Sequence, residues 1–399
     1  MVTDTNQPFR EAASGRGTSA AGHHRTGKLP EGNLVNDPIK GAVRGRAPAP
    51  LSVLDTALAG RGISAADSLS GSIALARLAD QRGFTRYWVT EHHSMPGVSA
   101  SSPAVLLARL TAHTTRLRLG AGGVMLPNHP PLIVAEQYGL LQALAPGRID
   151  LGLGRAPGTN PATADALRRG SSADDFPRQV LELLHFLDDD FPDQHPYRER
   201  VYAVPGPGQD RQNDVVQTAG RPPVWLLGSS GYSAQLAAHL GLPFAFAAQF
   251  SPEGVAPALQ LYRDRFTPSA ALAEPYALVS VSVMAADDEA EAQRQTRSYA
   301  HAMMRMLQGK SFLLPTPDEA ASYPYAQAER QVLDHWTSSV LHGTPEEVTA
   351  LLNQLHERAR PDEIMVGSVG HTPQALLRST ELLADAYAMP SAPPVATAR

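Results

Sequence analysis

From residue 51 onward the chain repeats one motif: a short apolar run followed by a longer stretch with apolar residues at helical spacing. Such alternation is the signature of consecutive βα units around a parallel sheet. The runs predicted as strands are 51–58, 86–91, 117–125, 148–153, 223–227, 244–247, 276–285 and 363–367. Helices are predicted at 66–82, 103–114, 132–144, 176–188, 233–240, 252–266, 287–307 and 373–387, each with a 3.6-residue period. Eight βα units in order spell an α/β fold, a TIM (β/α)8 barrel with insertions in its βα loops. The insertions are three long connections, 154–173, 189–221 and 309–342, with a further helix at 345–355. Connections of that length in a compact domain are functional or carry structure of their own.

The chain has 399 residues, 43% hydrophobic and 18% charged, enough for one large core or two ordinary ones. Its net charge of -5 is scattered, which points to a small-molecule ligand and to neither nucleic acid nor membrane as partner. The absence of cysteine excludes disulfides, thiolate nucleophiles, zinc ribbons and iron–sulfur clusters, and agrees with a cytoplasmic location. No apolar run approaches the roughly 18 residues needed to span a bilayer. Residues 1–47 lack an apolar period and hold seven basic and four acidic residues, so they are expected to be a disordered extension. The barrel is expected to occupy 48–388, with 389–399 a disordered tail.

In a barrel of this kind the site lies at the C-terminal ends of the strands, where the βα loops gather. Tyr87-Trp88-Val89-Thr90-Glu91-His92-His93 is an aromatic and β-branched run that ends in three ionisable groups. Burying such groups is costly unless they are paired or functional, so the segment is either a site or a satisfied Glu–His pair. Arg155 stands one residue past the fourth predicted strand and suits a phosphate or carboxylate, or else a salt bridge to a neighbouring loop. Gly228-Ser229-Ser230-Gly231-Tyr232-Ser233 runs from a strand into a helix. That turn reads equally as a phosphate cradle of N–H groups and hydroxyls or as plain serine N-capping.

Other signals fail. Gly152-Leu153-Gly154-Arg155-Ala156-Pro157-Gly158 has the wrong glycine spacing for a dinucleotide fingerprint, and Pro157 interrupts the helix start. Tyr232 replaces the last glycine of a hydrolase elbow. There is no H-E-x-x-H among the 14 histidines, and adjacent His92 and His93 point to opposite faces of an extended chain, so no metal site is expected. Glycine-rich 119–123 makes a weak strand unless something must approach its backbone, such as a flat ring, or a bulge helps to close the barrel.

Five segments in sequence order resemble the luciferase-like, flavin-dependent monooxygenase superfamily. They are Leu51-Ser52-Val53-Leu54-Asp55, the Tyr87 to His93 run, residues 120–127, residues 142–155, and Leu227-Gly228-Ser229-Ser230-Gly231-Tyr232-Ser233-Ala234. The first segment and Gly154-Arg155-Ala156-Pro157-Gly158 resemble the branch labelled MsnO8-type oxidoreductases. The resemblance implies a barrel of the bacterial luciferase type that binds reduced FMN across its mouth. It implies a monooxygenase that forms a C4a-hydroperoxyflavin with O2 and passes one oxygen atom to a small organic substrate. Arg155, Ser230, Gly231, Tyr232 and Ser233 would hold the phosphate, with Asp55, Gly122 and Gly123 also at the cofactor. Gly122–Gly123 is the expected non-proline cis peptide. His92 would be the proton-transfer residue and Glu91 would orient its ring or set its tautomer, with His93 a structural partner. A separate flavin reductase and a homo-oligomeric assembly are further implications. Two alternatives stay open: hydride transfer with F420 or FMN and no oxygen insertion, or a non-catalytic flavin-binding barrel.

Overall fold

The structure, a computed structural model, describes residues 39–168, 173–215 and 220–391. Its elements in chain order are β1 (Leu51–Asp55), α1 (Ala65–Arg82), β2 (Arg86–Val89), α2 (Pro103–Thr111), β3 (Arg118–Met125), α3 (Pro131–Leu144) and β4 (Ile149–Gly154). Then come α4 (Pro161–Arg168), α5 (Phe176–Asp188), α6 (Pro207–Gln212), β5 (Val224–Gly228), α7 (Gly231–Leu240), β6 (Phe244–Ala247) and α8 (Val255–Asp264). The chain closes with β7 (Ala277–Ala285), α9 (Glu289–Leu307), α10 (Pro317–Ser322), α11 (Gln327–Ser338), β8 (Leu341–Gly343), α12 (Pro345–Ala359), β9 (Glu363–Ser368) and α13 (Pro373–Ala386).

All strand pairings are parallel, and the ring β1-β2-β3-β4-β5-β6-β7-β9 closes where β9 meets β1. The expected TIM barrel is therefore present, with its eight strands at the predicted places. Strand β8 is an addition: its three residues pair with Val283–Ala285 of β7, overlapping the stretch that β9 occupies at Val283. Buried runs such as β7, in which every residue is inside, explain why these segments form strands, since helices cover one face and the barrel interior the other. Helix ends follow local chemistry. Ser64 caps α1 by accepting from Asp67 N–H, and Gly83 ends it in the left-handed region. Thr316 and Thr344 form capping boxes with Glu319 and Glu347 at the starts of α10 and α12. Among the described residues no helix is long and apolar enough to cross a membrane.

The lower, N-terminal end of the barrel is sealed by charge. Arg86 is fully buried and donates to both oxygens of Glu363 (2.7 and 2.9 Å) and to Asp150 (2.9 Å), while Arg118 grips the other oxygen of Asp150 at 2.6 Å. Buried charges survive only when paired like this. Trp88 and Trp225 pack edge to face above the layer at 5.2 Å, and the Arg86 guanidinium lies 4.7 Å from the Trp225 ring.

The same layer corrects the expected start of the domain. Arg86 also donates to the backbone oxygen of Ile39, which is 3% exposed in the hydrophobic core, and Gly41 N–H donates to the Tyr276 hydroxyl at 3.1 Å. Residues 39–47 are thus packed onto the barrel and do not belong to a loose extension. Residues 1–38 of that expected extension lie outside the described residues. At the other end Met389 is buried and donates to Ala384, so the packed chain passes the expected 388 boundary, and 392–399 lie outside the description.

Candidate active site

A cavity of about 560 Å³ opens at the C-terminal ends of the strands. Its floor is apolar, with Leu54, Trp88, Leu227, Leu278 and Met365 rising from five strands. On one side the wall is bare backbone. The Gly122–Gly123 peptide bond is cis, as expected, and both glycines line the cavity. The register between β3 and β4 shifts between Ala121 and Val124, so the expected bulge is present at the same place.

Arg155 and the start of α7 meet at the rim. Arg155 is exposed, and its guanidinium stacks 4.3 Å from the Tyr232 ring centroid. Helix α7 begins at Gly231, two residues earlier than predicted, which leaves Ser230 at the N-cap position. Ser230 makes no side-chain capping bond, so simple serine capping is not what this turn does. The first N–H groups of a helix have no acceptor within it, and they carry the positive end of its dipole. Gly228 is required for the approach, because a Cβ there would stand 2.6 Å from Ser233 Cβ and collide with its hydroxyl. Arg155, Ser230 and Ser233 all line the cavity. A permanent cation and a helix start without a side-chain cap therefore face the same space, a combination suited to a phosphate.

His92 lines the cavity from the loop after β2. Its Nδ1 lies 3.0 Å from the Thr90 hydroxyl, and among the described residues Nε2 has no hydrogen-bond partner. Burial drives the imidazole down to about 4, opposed by the nearby Glu91 charge and reinforced by His93. The ring is neutral near pH 7, with one nitrogen able to accept a proton.

Glu91 does not touch His92, contrary to expectation. It points away from the cavity, fully buried, and Oε1 is 2.8 Å from both His93 Nε2 and His129 Nε2, while Oε2 accepts from Met125 N–H at 3.1 Å. Burial pushes this carboxyl up, but hydrogen bonds from His129 and His93, the His129 charge and the Met125 N–H outweigh it and hold the group down to about 2. Adjacent residues of an extended chain face opposite ways, so Glu91 joins His93 and leaves His92 to Thr90. Strand-end position made Glu91 visible in the sequence, and the same rule applied to the end of β3 would have found His129. The ligand atoms of Glu91, His93 and His129 lie within 4.8 Å of one another, a grouping that neither an H-E-x-x-H spacing nor the adjacent His92 and His93 reveals. Two N–H donors on one carboxylate oxygen satisfy the buried charge as it stands.

Asp55 does not face the cavity either. Its oxygens accept from Ala57 N–H at 2.7 Å and from the Tyr87 hydroxyl at 2.5 Å, so it joins β1 to β2. The sequence also gave no sign of the far wall. Tyr299, Met303 and Met306 of α9 stand at i, i+4 and i+7 on one helix face and reach the cavity, a spacing indistinguishable from an ordinary core stripe.

The geometry agrees with what the chain resembles. The family model for luciferase-like monooxygenases matches residues 51–360. The chain belongs to that family. It is 45% identical over 336 residues to a luciferase-like monooxygenase of Escherichia coli, covering 84% of this chain and 96% of that one. It is 34% identical over 339 residues to the N-acetyl-S-alkylcysteine monooxygenase of Bacillus subtilis, covering 84% and 97%. The crystal structure of apo-MsnO8 superposes with a TM-score of 0.75 at 36% identity, covering 86% of this chain and 98% of that one. Two distant structures share the fold. One is the oxygenating constituent of 3,6-diketocamphane monooxygenase from Pseudomonas putida in complex with FMN, at 20% identity and TM-score 0.63, covering 87% of this chain and all of that one. The other is an F420-dependent secondary alcohol dehydrogenase, at 14% and 0.57, covering 85% and 99%.

Proposed function

We propose that the protein is an FMN-dependent monooxygenase that oxygenates a small organic molecule. One observation carries this reading: the phosphate-type grip of Arg155 and the α7 start lies at one end of a cavity that His92 and the Gly122–Gly123 backbone line further in. A flavin mononucleotide would fit such a space, with Arg155 and the α7 start to hold its phosphate and the glycine backbone and Trp88 to receive its flat ring. When bound and reduced, the flavin supplies two electrons to dioxygen, so that one oxygen atom enters the substrate and the other leaves as water. Arg155, Ser230, Gly231, Tyr232 and Ser233 hold the phosphate. His92, neutral and open at Nε2, accepts and returns a proton at the reacting centre. The apolar floor keeps water from the reaction. No nicotinamide fingerprint accompanies the site, so a separate reductase supplies reduced FMN, and the enzyme works as a homo-oligomer.

Arg155→Ala tests the grip. FMN affinity is expected to fall roughly tenfold to 100-fold, the scale of a charged hydrogen bond, and an unchanged dissociation constant would remove Arg155 from the site. Photoreduced FMN mixed with the protein and then with air should reoxidise after a delay relative to free flavin. Reoxidation without delay would favour a barrel that only binds flavin.

A further inference from the structure

The cavity has two unlike halves. The half at the C-terminal ends of β3, β4 and β5 is polar, formed by glycine backbone, Arg155 and the start of α7. The half under α9 is walled by Met95, Val98, Tyr299, Met303, Met306 and Phe312, which belong to one packed cluster with Leu58. Tyr299 and Phe312 meet edge to face at 6.2 Å. Among the described residues, His92 and Arg155 are the cavity's charge-bearing side chains besides the tyrosine, and neither belongs to this cluster. The polar atoms offered here are neutral: Ser282 and Tyr299 both line the cavity with hydroxyls, and burial pushes that of Tyr299 up to about 12.

We infer that the half under α9 is the substrate chamber and that its substrate is an uncharged, mainly apolar organic molecule with at most one neutral polar group. This deepens the monooxygenase reading of the same site and rests on it. A carboxylate or sulfonate placed here would lose its hydration with no cation to replace it. The three methionines are unbranched and adapt to differing outlines, so the chamber selects on charge more sharply than on shape. Tyr299 and Ser282 can address one carbonyl or ether oxygen.

The test uses the full chain loaded with oxidised FMN and a matched pair of probes, methyl 4-(methylthio)benzoate and its free acid, which is an anion near neutral pH. Binding is read as perturbation of the visible flavin spectrum. FMN affinity is measured first: failure to bind FMN rejects the monooxygenase reading itself. With FMN bound, the ester is expected to bind at least about 30-fold more tightly than the acid, the penalty of burying an unpaired charge. Equal affinity, a preference for the acid, or no binding of the ester overturns the substrate class. Met306→Lys places a cation on the chamber wall at a half-buried position. It should cut the preference for the ester by about tenfold or more while FMN affinity stays within about twofold, which also reports that the variant is folded. An undiminished preference in that variant overturns the placement of the substrate under α9.

Discussion

Replacing Glu91 by Gln keeps the shape of the junction after β2 and removes its charge. In the native protein the two oxygens take hydrogen bonds from His93, His129 and the Met125 N–H, three donors from the end of β3 and the loops after β2 and β3. A glutamine has one accepting oxygen, and its NH2 group would point hydrogens at a donor that expects an acceptor. The carboxyl falls from an ordinary 4.5 to about 2, which at about 1.4 kcal/mol per pH unit makes ionised Glu91 worth about 3 kcal/mol to the folded state. Because the folded value is the lower one, this contribution is complete above about 4.5 and disappears as pH falls through about 2. Urea unfolding of Glu91→Gln near pH 7 should therefore show a loss of about 3 kcal/mol that shrinks markedly near pH 3. FMN binding should weaken as well, since His93 N–H donates to Gly158 and Thr159 donates to His93, which ties this junction to the loop that carries Arg155. A loss below about 1 kcal/mol near pH 7, or a loss of the same size at both pH values, would refute the reasoning.

His92→Ala should leave FMN affinity nearly intact and lower turnover by about 100-fold or more, the usual scale for a lost general base; equal losses in both would reassign the residue. With its imidazole held down to about 4, His92 stays in its accepting form throughout the neutral range, so a rate fall attributable to it should come only as pH drops toward about 4, as a pH–rate profile will show. Gly228→Ala should weaken FMN by about 1 to 3 kcal/mol in calorimetry, because the new methyl group pushes against Ser233 and displaces the α7 start. Unchanged affinity there would mean that the turn does not carry the phosphate.

The barrel was legible in the sequence because each of its eight strands is a dense apolar run, as in Ala277–Ala285, and each is followed by a stretch of helical period. Strand β8 was not, since Leu341–Gly343 is three residues long and only partly buried. The packed start at Ile39 was also invisible, because the few apolar residues around it follow no period, and its partners in the core, such as Trp88, Trp225 and Tyr276, lie far along the chain. At the site, features fixed by local chemistry could be read: the glycine pair, the cation past β4 and the turn into α7. Partnerships across the fold could not. Thr90 rather than Glu91 holds His92, His129 arrives from 38 positions beyond Glu91, and Asp55 turns to Tyr87. Sequence spacing alone says nothing about which of two neighbouring side chains faces inward until the strand's phase is known.

Among the described residues, the buried ion pairs of Arg86 with Asp150 and Glu363 plug the lower end of the barrel, and the cavity opens at the other end. Cofactor and substrate then share one approach, and a flavin seated at the rim narrows the passage left to the molecule held under α9.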